Sequence, residues 1–159
     1  MLRKVEQAQA KWGGASQVID AWLSARKKLL IAYCELAGLP PYDKLDRSLP
    51  DASKISQFCE QLVDYVSTGH FEIYEQIVNE CANDGDTTPG ERLLPLITET
   101  TDIALSFNDS YAEVDENIEL NSFDRDLSQL GQEMEERFEV EDELLDHLYQ
   151  HSQQQAAAE

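Results

Sequence analysis

Positive charge is what this sequence has least of. Of 159 residues only twelve are Lys or Arg, against thirty-two Asp or Glu, for a formal net charge of −20. The shortage is uneven. Residues 1–54 hold nine basic residues against six acidic, a balance of +3, whereas residues 55–159 hold three (Arg92, Arg125 and Arg137) against twenty-six, a balance of −23. Such a field repels phosphate, so direct binding of nucleic acid is excluded and a basic protein is the expected kind of partner. Much of the acidity also serves solubility alone. Long apolar runs are missing as well: nothing approaches the roughly eighteen residues of a membrane span, and the amino end, MLRKVEQAQAKWGG, has no apolar signal-peptide core. No membrane association is expected, and a cytoplasmic location is.

Other scarcities exclude chemistry. Cys34, Cys59 and Cys81 are odd in number and widely spaced, which suits small core hydrophobes of a reduced compartment and neither a disulfide framework nor a metal set. There are three histidines, two of them (His147 and His151) close to the end, and no Glu-x-x-His pair. A carboxylate-bridged metal centre inside a bundle therefore lacks its ligands. In RFEVED, where such a centre would want a histidine, the chain has Arg137. Cys59 and His70 share a helix face but lie about 16 Å apart along its axis, too far for a nucleophile and its base. No Gly-rich phosphate loop and no GxSxG elbow is present. The chain reads as a non-enzyme without metal or cofactor.

What remains is helix. Gly13-Gly14 separates a short amphipathic amino segment from a first long helix, with Ser16 as N-cap and Gly38 closing it after Ala37. Pro50-Asp51 opens a second, which runs to about Ala82, with Gly69 marking a kink or a close helix contact. After the turn signal Asn83-Asp84-Gly85-Asp86, the run Thr88-Pro89-Gly90-Glu91 reads as N-cap, N1 proline and capping-box glutamate of a third. Asn121 or Ser122 opens a fourth, with Leu127, Leu130, Met134, Phe138, Leu144 and Leu145 in its stripe. The expected fold is all-α, a four-helix bundle with an additional short N-terminal helix. Residues 1–151 would form one domain, and 152–159, SQQQAAAE, a disordered tail with nothing to bury.

The stretch FCEQLVDYVSTGHFEIYE, Phe58 to Glu75, organises the rest. One face carries Cys59, Leu62, Val63, Val66, Ile73 and then Ile77 at the spacing of a buried stripe, and at that spacing His70 falls inside it. The other carries Glu60, Asp64, Phe71 and Glu75, so an aromatic ring stands among carboxylates where a solvated helix would show only polar groups. That face suits a basic, partly apolar partner.

Each long helix also breaks its apolar stripe with something polar: Arg26, His70, Thr101 with Asn108, and Glu141 beside Arg137. An unpaired buried charge would cost several kcal/mol, so interior charges must meet one another. The expectation is a buried polar cluster in which Arg26 pairs with Glu141, beside Arg137, with His70 in hydrogen-bonding range. The alternative is that Arg26 lies at the stripe's edge and reaches water with its head.

Three blocks in order, IDAWLSARKKLLIAYCELAG, FCEQLVDYVSTGHFEIYE and EERFEVEDELL, resemble the Rsd/AlgQ family of bacterial anti-sigma regulators, over about the first 150 residues. The resemblance implies binding to the primary sigma factor (sigma-70) of RNA polymerase, through its C-terminal domain, the basic helix-turn-helix module that reads the −35 promoter element. It implies an interface at Asp64 and Phe71, with Glu60, Thr68, Glu72 and Glu75 as neighbours, and a monomer acting by occlusion. Members of the family have also been tied to the phosphocarrier protein HPr and to alarmone-linked stress signalling. An acidic adaptor for HPr or a stress-signalling enzyme is the alternative reading.

Overall fold

The structure, a computed structural model, describes residues 6, 17–39, 50–113 and 119–158. The expected amino-terminal helix, the Ser16 cap and the proline connection after Leu39 lie outside the described residues, apart from Glu6, which is helical and pairs with Lys27 at 3.7 Å. Everything regular among the described residues is helix: α1 (Gln17–Ala37), α2 (Ala52–Thr68), α3 (Glu75–Asn83), α4 (Leu94–Tyr111) and α5 (Leu120–Ala158). Two π turns, Gly69–Tyr74 and Pro89–Leu93, join α2 to α3 and lead into α4. Since α2, its π turn and α3 are continuous, the rods number four, as the all-α bundle requires.

The rods close a ring. α1 packs on α2, α2 on α4, α4 on α5, and α5 back on α1, with α3 leaning on α5. Each buries one stripe: Trp22, Leu23 and Leu30 from α1; Phe58, Leu62 and Val66 from α2; Ile97, Ala104 and Phe107 from α4; Phe123, Leu127, Leu130 and Leu144 from α5. Where the end of α4 meets the start of α5, Phe58, Phe107, Tyr111 and Phe123 pack edge-on or tilted, at centroid distances of 4.7–6.3 Å. Cys59 and Cys81 are buried as free thiols, and burial pushes the Cys59 thiol up to about 11.

The stops follow from backbone chemistry. Gly38, at φ 65°, lets its own N–H reach Glu35 O while Leu39 N–H reaches Cys34 O, and Gly85, at φ 87°, repeats the arrangement with Ala82 O and, through Asp86, Cys81 O. The start of the third rod differs from the sequence expectation. Thr88 is already helical and makes no side-chain cap; Asp86 takes the Thr88 N–H on its carboxylate instead, at 3.1 Å. The opening turn is a wide one, which moves the cap two residues back. α5 continues to Ala158, into the segment expected to be a disordered tail, in keeping with the helix preference of its Gln and Ala run.

Two glycines set close approaches. A Cβ on Gly131 of α5 would sit 2.1 Å from the Tyr33 hydroxyl oxygen, so glycine is what lets that phenol lie against the helix and donate to Leu127 O at 3.0 Å. A Cβ on Gly69 would sit 2.5 Å from the hydroxyl oxygen of Tyr74. At Gly69, expected as a kink or a close helix contact, the near neighbour is instead a ring of the same rod, five residues further along.

Candidate functional site

Inside the bundle, Arg26, Arg137 and Glu141 are each at most 1% exposed and lie together. Arg26 Nη2 is 3.5 Å from Glu141 Oε1, and Arg137 Nε, one turn before Glu141 on α5, is 3.7 Å from Oε2. Neither contact is a hydrogen bond. The carboxylate is satisfied by two phenols: Tyr65 donates to Oε1 at 2.7 Å, and Tyr74 donates to Oε2. Each phenol in turn accepts from an arginine, Tyr65 from Arg26 Nε at 3.0 Å and Tyr74 from Arg137 Nη2 at 2.9 Å. The order Arg–Tyr–Glu–Tyr–Arg uses each hydroxyl once as donor and once as acceptor.

The ends of this chain are tied off. Arg26 Nη1 donates to Asp142 at 2.7 Å, bringing a second carboxylate, so two arginines face two acids. Arg137 Nη1 donates to Thr101 at 2.7 Å, to Thr100 at 3.1 Å and to Ile97 O at 3.4 Å, which fastens α5 to α4. The Trp22 ring stacks on Tyr65 and meets Tyr74 edge-on, and Arg26 lies 5.1 Å from the Trp22 ring centre and 5.0 Å from that of Phe138. Burial first, and after it the charge of Glu141, hold both phenols well above the usual tyrosine range, with the adjacent guanidinium pulling the other way. Burial alone would lower Arg26; Tyr65, Glu141 and Asp142 outweigh it and raise it. Two neutral donors and two cations surround one carboxylate in a buried network that joins α1, the second rod and α5.

His70 is not part of this cluster. It is exposed, and its ring lies edge-on to Phe71 at 4.9 Å. His70 stands in a π turn whose inward residues are Gly69, Ile73 and Tyr74, so the stripe passes beside it. Tyr65, Tyr74, Thr100 and Asp142 were not singled out from sequence. A tyrosine inside an apolar stripe looks like any aromatic core residue; the signal that could have exposed the pair is the demand of an interior glutamate for two donors.

Outside, the same rod shows the expected face. Phe71 is 74% exposed, the most exposed large apolar side chain among the described residues. Glu60, Asp64, Glu72 and Glu75 are exposed and Thr68 is half-buried. The structure leaves this ring uncovered among carboxylates. Among the described residues no group of three or more His, Cys, Asp or Glu could hold a metal ion, and no helix is long and apolar enough to cross a membrane.

The structure is a helical bundle with a buried arginine–glutamate network and an aromatic ring standing exposed on an acidic rod. The comparisons give its family. Residues 1–149 match the family described as "Regulator of RNA polymerase sigma(70) subunit, Rsd/AlgQ", and the chain belongs to it. It is 37% identical over 158 residues to the Regulator of sigma D of Pectobacterium atrosepticum, an alignment covering 94% of this chain and 99% of that one. With the protein of the same name from Yersinia pseudotuberculosis it shares 33% over 150 residues, covering 91% and 87%. With that from Yersinia enterocolitica it shares 32%, covering 91% and 88%.

Proposed function

We propose that this chain is an anti-sigma factor that binds the C-terminal, −35-reading domain of the primary sigma factor and so keeps it from core RNA polymerase and from promoter DNA. Membership of a family of sigma(70) regulators supplies the partner. The observation that carries the docking face is Phe71, 74% exposed on a rod whose exposed neighbours are Glu60, Asp64, Glu72 and Glu75. A domain that reads DNA is basic and carries the counter-charge that this acidic surface complements. The ring supplies an apolar anchor, of the kind that carries most of the binding energy at an interface. Occlusion needs affinity and geometry and no catalysis, and the chain acts from the cytoplasm as a monomer.

Titration of the purified sigma C-terminal domain with Phe71→Ala and Asp64→Lys tests this. Phe71→Ala should leave the melting temperature nearly unchanged, because a surface change shifts stability by only about 0.5 kcal/mol. Its binding should weaken by about 2 kcal/mol or more. Asp64→Lys should mainly slow association. Wild-type binding by both variants would place the docking surface elsewhere.

A further inference from the structure

The wide turn at Gly69–Tyr74 decides which side chains the second rod shows to solvent. Continued as an α-helix from Val66, the rod would turn residue 70 inward four places on. In the π turn both Ile73 and Tyr74, four and five residues after Gly69, are buried, and His70 and Phe71 stand side by side on the outside with their rings 4.9 Å apart. The Tyr74 ring lies directly against the backbone of Gly69, where a Cβ would come within 2.5 Å of its oxygen and 2.7 Å of its Cζ. From the other side the ring is held by the interior cluster. Its hydroxyl donates to Glu141 and accepts from Arg137, whose guanidinium also lies 5.6 Å from the ring centre. Arg137 is itself fixed to Thr100 and Thr101 of α4. The local geometry of the exposed pair is thereby tied to three rods.

We propose that Tyr74 is a positioning residue for docking: anchored by Glu141 and Arg137, it holds the π turn that presents the His70–Phe71 pair to the partner. This rests on the docking role proposed for Phe71. Wide turns of this kind recur at functional sites. A ring held in place before the encounter spares the complex the cost of ordering it. Tyr74 never touches the partner and acts only through the turn.

The test exploits the near-symmetry of the cluster. Tyr65 and Tyr74 make equivalent hydrogen bonds to the two oxygens of Glu141, but only Tyr74 belongs to the turn. In the full-length chain, Tyr74→Phe and Tyr65→Phe each remove one hydroxyl and keep the ring. Titrated against the sigma C-terminal domain well below the melting point of either variant, Tyr74→Phe should bind about tenfold more weakly, and Tyr65→Phe close to wild type. Adding Phe71→Ala to Tyr74→Phe should cost much less than it costs in the wild type. Amide exchange across residues 69–74, read without any partner, should quicken in Tyr74→Phe and not in Tyr65→Phe. Equal binding losses for the two tyrosine variants, or unchanged binding by Tyr74→Phe where Phe71→Ala is impaired, would overturn the positioning role alone. Wild-type binding by Phe71→Ala would overturn the docking role, and this inference with it.

Discussion

Glu141 has two carboxylate oxygens, and a phenol is spent on each, so the arginines beside it are held by charge and by the same phenols. Removing the carboxylate leaves Arg26 with the part-buried Asp142 alone and Arg137 with only neutral partners in the contacts described above. Glu141→Leu should therefore cost about 3–5 kcal/mol in denaturant unfolding, and adding Arg26→Met should recover part of it. Strict additivity of the two changes would contradict their contact. The tyrosines give a second handle, in alkali. Because their folded pKa values lie above the unfolded value of about 10, the folded state keeps protons that the unfolded state has lost. Their contribution is full below about pH 10 and falls as pH rises toward the folded values. Tyrosinate absorbance from Tyr65 and Tyr74 should appear only together with loss of helix. The pairing of Arg26 with Glu141 was legible in sequence because each interrupts an apolar stripe. The phenols between them were not, since tyrosine breaks no pattern. His70 sits at the spacing of the stripe, and the π turn that holds it outside that stripe is invisible to a periodicity.

Between elements, the contact most sensitive to a single atom is that of α1 with α5. Tyr33 reaches the Leu127 carbonyl only because Gly131 has no Cβ. Gly131→Ala gains helix propensity but pushes the phenol off its acceptor, and overpacking of this kind costs about 1–3 kcal/mol. A lower midpoint in denaturant for Gly131→Ala, restored when Tyr33 is also cut back to alanine, is the expected result. The glycine stops at Gly38 and Gly85 could be read directly, because positive φ at a helix end nearly demands that residue. The cap at Asp86 could not: Thr88-Pro89 carries the stronger local signal, and the wide turn that overrides it comes from tertiary packing.

At the scale of the whole molecule, the buried charges among the described residues are Arg26, Arg137 and Glu141, with Asp142 at their edge, in a chain of net charge −20. Binding to a basic domain should weaken steeply with salt, since exposed charges are screened over about 10 Å at 0.1 M. Titrations at rising ionic strength should show slower association with little change in dissociation. An affinity indifferent to salt would assign the contact to Phe71 and apolar packing alone. The four rods were visible in the sequence because each carries a stripe long enough to average over its interruptions. Such rods ordinarily tolerate no change in length: excising one residue turns everything beyond the gap by about 100° and drags a buried stripe into water. The stretch Gly69–Tyr74, inside a rod, is an exception, because it already contains one residue more than an α-helical turn requires. A single-codon deletion there would draw the slack tight and leave α2 and α3 in phase with the core. Phe71, the ring proposed to dock, lies within that slack, so a deletion there would spare the core and remove or redirect the exposed ring.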